Sequence, residues 1–491
     1  MALVLAVALL IVEADMPRRK PSPRQTDPST EALLKTLNPH AAGIDLSSAE
    51  HWVAVPQGSV PDQPHRRRGG LPSHVRRFGA CTADLRNLAD WLRKAEVDTV
   101  AMEATGVYWV PLYDLLESEG FRVLLVDPHQ VKAAPGRPKT DVKDCMWIQR
   151  LHSLGLLTAA FRPDEPIRVL RAYQRLRHGL VEDQSRFILR MQKALELMNV
   201  KLTEALANVM GVTGLAIIKA ILAGERDPHK LAQLRQPGCK HPQAEFARAL
   251  EGTWQAEHLF ALKQAVELYE YFGKQIAECD RHIEEQLKTL ARPEKPGPLP
   301  PPNKPRRSRR KNDLHFAARG LLYEMAGVDL TAIEGIDVNT ALVVLSEVGT
   351  DMSHWRSERA FGAWLGLAPN PRKTGGKLKS AKTRPGVNRA AQALRVVAQT
   401  LRQSNSAVGA FFRRIAARRG VPKAITATAY KLARIIYAML KHGQEYARQG
   451  MEEYEAAYRE RQVRNLRKKA AELGLELKEK EPTAEAAASQ Q

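Results

Sequence analysis

The chain has 491 residues, 75 Lys and Arg against 54 Asp and Glu, and a formal net charge of +21. That length excludes a single small module and predicts several domains with ample core, and a composition 44% hydrophobic and 26% charged excludes a fibrous or wholly disordered chain. The positive surplus points to a polyanionic partner, most simply nucleic acid. The cysteines, Cys81, Cys145, Cys239 and Cys279, are far apart with no C-x-x-C, so neither a disulfide framework nor a zinc knuckle is expected and a reducing, cytoplasmic setting fits.

Met1–Val12 is apolar but too short to cross a bilayer. It lacks a basic leader, and Glu13 and Asp15 follow where a cleavage site would need small residues. Met16 opens a basic leader, Met-Pro-Arg-Arg-Lys-Pro, and is the expected start of translation. Residues 1–40 are read as a disordered basic leader, and no other run approaches transmembrane length.

Between 41 and 158 the pattern alternates strands and helices. Gly43-Ile44-Asp45-Leu46 opens a strand, His51 to Val55 its hairpin partner, and Val75 to Cys81 a third strand beyond a Pro/Arg/Gly loop. Thr82 to Lys94 reads as a helix capped by Thr82, and Val97 to Glu103 as a buried strand ending on a carboxylate. Then follow a helix Tyr108 to Glu119, a strand Phe121 to Val126 and a helix Asp141 to Leu154, so the domain is α/β with a mixed sheet.

Leu170 to Met210 and Glu257 to Leu290 are long helical stretches, the second with apolar residues at roughly heptad spacing. They make 159–290 a helical connector, either coiled-coil arms, antiparallel or between subunits, or an ordinary bundle. Residues 291–313 are a Pro-rich, strongly basic linker (Pro298 to Pro302, Lys304 to Lys311). A mostly helical domain is expected over 314–446 and a charged helical tail over 447–491.

Four acids stand where metal chemistry would want them. Asp45 lies on the first strand, Glu103 ends a later one, and Asp141 and Asp144 share a face at the start of one helix. Two Mg²⁺ ions about 4 Å apart would neutralise such a cluster and activate an oxygen for phosphodiester chemistry. Each acid alone has a plainer explanation: a strand end for Asp45, or the helix dipole for Asp141 and Asp144.

Together, Gly43-Ile44-Asp45-Leu46, Met102-Glu103-Ala104-Thr105-Gly106-Val107-Tyr108-Trp109 and Lys139-Thr140-Asp141-Val142-Lys143-Asp144 resemble the N-terminal DEDD domain of IS110-family transposases. That domain is similar to the RuvC resolvase and has an RNase H-like fold. Val126-Asp127-Pro128 also fits the pattern. The second half resembles the family's C-terminal transposase domain in Phe361-Gly362-Ala363-Trp364-Leu365-Gly366-Leu367-Ala368-Pro369, Thr374-Gly375-Gly376-Lys377, Asn388 to Arg395 and Ala424 to Arg434.

The resemblance implies that Asp45, Glu103, Asp141 and Asp144 bind Mg²⁺, with Mn²⁺ as a substitute, and that a hydroxyl from the C-terminal domain attacks the phosphodiester. The site would be composite, its two parts supplied by one subunit or by two of a homo-oligomer (a dimer or tetramer). DNA element ends and target would be the substrates and a noncoding RNA of the element the guide, in the bacterial cytoplasm at the nucleoid. The family's nucleophile is a serine immediately before the Gly-Gly; here Thr374 holds that position. A threonine hydroxyl can attack phosphorus when activated, although its methyl adds crowding. Ser380 is a weaker candidate because it does not match that position.

Gly375 and Gly376 let backbone approach a phosphate, Arg372, Lys373 and Lys377 add charge, and Asn388, Arg389 and Arg395 are candidate phosphate ligands on a helix. A flexible basic loop is the plainer reading of that Gly-Gly segment. Ile333-Glu334-Gly335-Ile336 resembles a helix-hairpin-helix turn, though a plain helix–helix turn would look the same. Two other functions stay open: a metal-dependent nuclease acting on branched DNA through water, which needs the acids but not Thr374, and a decayed copy that binds nucleic acid without cutting it.

Overall fold

The computed structural model describes residues 36–61, 70–131, 140–292, 297–302, 310–386 and 388–476. The expected leader and start at Met16, Lys139, most of the basic tract Lys304 to Lys311 and the end of the tail lie outside them. The chain forms two compact units, Met1–Phe161 and Arg162–Gln491.

The first unit is a five-stranded mixed sheet between helices. Its strands are β1 (Ala41–Leu46), β2 (Glu50–Ala54), β3 (Val75–Gly79), β4 (Thr99–Glu103) and β5 (Arg122–Val126), in the order β3-β2-β1-β4-β5. β1, β4 and β5 are parallel, and β2 and β3 add antiparallel pairs. The helices are α1 (Thr82–Lys94), α2 (Trp109–Ser118), the short α3 (Pro128–Val131) and α4 (Asp141–Ser153). Ile44, Leu46, Val100, Met102 and Leu125 point to one face, where they pack with Leu88 and Leu92 of α1 and Leu112 and Leu116 of α2. The alternate residues point to the other face, where Ala101 and Val126 meet Ile148 of α4 and Ala54 meets Cys145. This is the α/β, RNase H-like arrangement expected from the sequence. One local expectation is corrected: Thr82 is the first residue of α1 and Cys81 its N-cap, with no side-chain capping bond.

The second unit is helical apart from one hairpin. α5 (Glu165–Leu197) ends at Met198, where Asn199 takes a positive φ of 56°, so the expected single helix from Leu170 to Met210 is broken there. Four short helices follow: α6 (Leu202–Ala205), α7 (Val212–Leu222), α8 (Pro228–Gln233) and α9 (Gln243–Ala249). α10 (Ala256–Thr289) then returns along α5. Gln286 Nε2 donates to the carbonyl of Pro166, Arg177 pairs with Asp280 and Phe187 stacks on Phe272, so rising numbers on α5 meet falling numbers on α10. The two helices are therefore an antiparallel pair within one chain. Ile217, Ile221, Leu231 and Phe246 of the short helices form a core with Met191 and Leu195 of α5 and Leu262 and Val266 of α10.

Beyond α11 (Ala318–Ala326) and a 3-10 turn at Leu330–Ala332 lie α12 (Val338–Val348), α13 (Glu358–Trp364), strands β6 (Arg372–Thr374) and β7 (Lys377–Ser380), and α14 (Arg389–Thr400). α15 (Ala407–Arg419), α16 (Val421–His442) and α17 (Gln444–Glu472) complete the chain. Capping residues set these starts: the side chains of Asp337, Ser357, Asn388 and Ser406 accept from Thr340, Ala360, Ala391 and Gly409 N–H groups. α16 is the hub, with Ala424, Thr428, Leu432 and Ile436 buried at four-residue spacing and α13, α14, α15 and α17 packed around it. α12 is tied to α5 by a planar fork: Arg175 Nε and Nη2 each donate to Glu347 at 2.8 Å, while Arg171 donates to the Ser346 and Glu347 carbonyls.

Candidate functional site

The four acids occupy one edge of the sheet because of how α4 lies on β1. A Cβ on Gly43 would fall 2.1 Å from Gln149 N and 2.6 Å from the Cys145 carbonyl, so only glycine allows that approach. Gln149 Nε2 also donates to the Ala41 carbonyl, so α4 runs opposite to β1 and brings its N-terminus to the carboxyl end of the strand. Thr140 caps that N-terminus by accepting from Lys143 N.

Asp45 shares the α4-facing side of β1 with Gly43, two residues away. On β4, Thr99 contacts His152 of α4 at 2.9 Å, and the alternation carries this face through Ala101 to Glu103. Ile44 pairs with Met102, so Asp45 and Glu103 stand on the next rung of adjacent parallel strands. Asp144 is buried and Asp141 exposed in the first turn of α4. Thr105 Oγ1 donates to Glu103 at 3.3 Å. The carboxyl edge of a parallel sheet is where open α/β folds place their ligands.

Electrostatics connect β1 to α4. The Cys145 thiol is pushed up to about 12, first by burial and then by the negative charges of Asp45 and Asp141, which both reach it. The head of α4 is thus a site of negative potential lined by hard oxygen donors, a donor set that suits Mg²⁺ or Mn²⁺. Among the described residues, no three or more His, Cys, Asp or Glu side chains come together closely enough to hold one ion. The fold brings the acids to one edge without closing them into a ligand shell. Asp127, exposed just beyond the end of β5, adds an acid at that edge that the sequence reading noted only as pattern.

Thr374 is the last residue of β6, and Gly375 and Gly376, with φ of 54° and 74°, make the two-residue turn into β7. Left-handed values at both positions are those of a type I′ hairpin turn, which glycine adopts without strain. The segment is therefore a two-residue β-hairpin. A Thr-Gly-Gly-Lys run between short basic stretches carries that hairpin signal in its sequence. Register sets Thr374 directly opposite Lys377, and Arg372, Lys373 and Lys377 are all exposed. Below the hairpin, Pro369 bridges to Thr383 and Asn370 N donates to the Lys382 carbonyl, so the ribbon continues to its base. Ser380 lies opposite Arg372, away from the turn.

Two of the other three phosphate-ligand candidates have structural roles on view. Asn388 caps α14, and Arg395 Nη2 donates to the Gly366 carbonyl at 3.3 Å. Arg389 is half-buried, with Nη1 shielded from solvent and without a hydrogen-bond partner among the described residues. At the Ile333–Ile336 turn, Gly335 has a φ of 83° and sits against Val397 and Leu401. Asp337 caps α12 there, so a carboxylate already occupies the helix end that a phosphate would need. None of the described helices is long and apolar enough to cross a membrane.

No curated protein matches the chain. Two family models do: a DEDD transposase model for IS110 elements over residues 42–200, and a transposase model of the IS116/IS110/IS902 family over residues 327–413. The first takes in the sheet with all four acids and α5; the second takes in α12, α13, the Gly-Gly hairpin and α14. Both halves point the same way, and the chain belongs to the IS110 family of transposases, enzymes that act on DNA.

Proposed function

We propose that this transposase excises and inserts its element by cutting and rejoining phosphodiester bonds, with Asp45, Glu103, Asp141 and Asp144 as the metal-binding acids and Thr374 as the nucleophile. The observation that carries the reading is the placement of Asp45 and Glu103 on the same rung of adjacent strands on one sheet face, with Asp141 and Asp144 in the first turn of the helix covering that face. A divalent ion held by these carboxylates would supply Lewis acidity to the phosphate. The Thr374 oxygen forms a bond to phosphorus as its proton leaves, and the bond to one deoxyribose oxygen breaks, that oxygen taking up a proton. Attack by the hydroxyl of a second strand reverses these changes, joins the new ends and frees Thr374. Lys377 opposite Thr374, with Arg372 and Lys373, offers cationic contacts to the phosphate. Gly375 and Gly376 keep side chains away from its approach.

The reading includes a noncoding RNA of the element as guide, supported by the net charge of +21, and a homo-oligomer. Exposed Leu176, Leu189, Phe260 and Tyr271 on α5 and α10 support the second point.

The test is a search for a covalent protein–DNA adduct after incubating the protein, Mg²⁺ and co-purifying RNA with DNA spanning the element's end. An adduct mapped to Thr374 is expected. Cleaved DNA without an adduct would replace Thr374 with water and make the enzyme a nuclease, and intact DNA would favour a decayed binder.

A further inference from the structure

The cavity between α15 and α17 has a volume of about 250 Å³ and is lined by Arg413, Arg414, Arg461, Gln462, Asn465 and Tyr458, with Ala410 at its floor. Three guanidinium groups and two carboxamides face it, and none of the described lining residues is acidic. Arg413 is held by the backbone, since its Nη1 donates to the carbonyls of Arg402 and Ser404. Arg414 lies over the Phe411 ring, which orients its plane. Gln462 donates to the Tyr458 hydroxyl, fixing the opposite wall.

The charge continues along α15 and the second half of α17. α15 ends in Arg418 and Arg419, and α17 from Arg459 onward adds Arg459, Arg464, Arg467, Lys468 and Lys469 against Glu460 and Glu472, whereas its first half is acidic in sequence, with Glu445, Glu452, Glu453 and Glu455. Like charges gathered in a concave site repel one another, and an anion that enters relieves the repulsion. Guanidinium forks match phosphate oxygens, and a half-exposed tyrosine beside them offers a face for a base.

The geometry points to this cleft as a binding site for the phosphodiester backbone of a nucleic acid, separate from the Gly-Gly hairpin and lying mostly beyond residue 413, where the second family match ends. It rests on the proposed function only in that the enzyme handles nucleic acid, and its test needs no cleavage. The ligand chemistry is shared by DNA and RNA, so both are used as probes.

Wild type and Arg414→Gln/Arg461→Gln are titrated, without divalent ions, against a fluorescein-labelled 30-base-pair DNA duplex and against a 30-nucleotide RNA hairpin at several salt concentrations. Loss of two phosphate contacts is expected to weaken binding of at least one probe about 10-fold and to lower its salt slope by about 1–2. The probe whose slope falls identifies the occupant. An unchanged thermal melt is expected, because neither exchanged side chain carries a described ion pair. Affinity and slope unchanged for both probes, or no binding of either by wild type, would overturn the proposal. Because the titration contains no divalent ion and reads binding alone, its failure is distinguishable from failure of the adduct search.

Discussion

Gly43 and Gln149 are in backbone contact: a Cβ on the glycine would lie 2.1 Å from the Gln149 nitrogen. The approach is backbone on backbone, so no rotamer change relieves an added methyl. Gly43→Ala should push α4 off the sheet and cost about 3 kcal/mol or more. Thermal melting checks this: an unchanged melting temperature would mean that α4 does not seat on β1 as described.

The acid edge predicts a separation of activity from stability. Asp45→Asn and Glu103→Gln keep shape while removing charge, and each should lower metal-dependent DNA cleavage by at least about 100-fold. Melting temperatures should stay near wild type, since neither acid anchors the core. Cleavage at near wild-type rates in both variants would remove these residues from the metal site.

At the hairpin, Thr374→Ser should keep or raise the yield of covalent adduct, because it restores the hydroxyl and removes a methyl. Thr374→Ala should abolish the adduct. Gly376→Val places a β-branched residue at a φ of 74° and should disturb the turn by about 1–2 kcal/mol while the global melt stays put, because the hairpin is exposed. Adduct mapping by mass spectrometry reads all three, and an adduct persisting in Thr374→Ala would point to another hydroxyl.

His152, buried against Thr99, is held down to about 4, first by burial and then by the Arg122 charge. The imidazole is therefore neutral when folded and protonates more readily when unfolded. Its contribution to stability is complete above pH 6.5 and is lost as pH falls toward 4, amounting to up to about 3 kcal/mol. Denaturant melts of wild type and His152→Gln between pH 7 and 4 should show a flatter dependence in the variant, and parallel curves would refute the assignment.

Glu347 is almost wholly buried between Arg171 and Arg175. Glu347→Gln leaves two arginines without their counter-charge and should cost about 2–3 kcal/mol, reduced by the partial exposure of Arg175. Equilibrium unfolding of the variant measures it, and a change below about 0.5 kcal/mol would show the fork to be a surface pair in effect.

Most of the α/β unit is legible because its strands and longer helices satisfy local rules, while the four-residue α3 does not. Short, almost continuously apolar runs mark β1 and β4 as strands buried on both faces, and Thr140 ahead of Asp141 marks the start of α4. The close seat of α4 at Gly43 was not legible, since nothing local distinguishes a glycine pressed by a distant helix from one in a loose strand. The elements within 211–255 are not legible because α7, α8 and α9 are too short to show periodicity and are stabilised by packing on α5 and α10. Thr374 is marked by resemblance, whereas its hairpin is not, because glycines that let backbone approach a phosphate and glycines that turn a hairpin look alike in sequence. Distances among the four acids depend on tertiary placement that sequence spacing does not encode.

The antiparallel pair α5 and α10 is about 50 Å long at 1.5 Å per residue. Arg177 and Asp280, both buried, pin one helix against the other partway along. A two-strut beam pinned in this way resists shear between its members far better than it resists bending. The cap built by α6–α9 sits at one end, and the Arg175–Glu347 fork, two residues from that pin, joins the far third of the pair to α12. A displacement imposed at the cap would therefore arrive at α12 as a lever's swing, its amplitude set by the length of the arm and not dissipated by slippage along it.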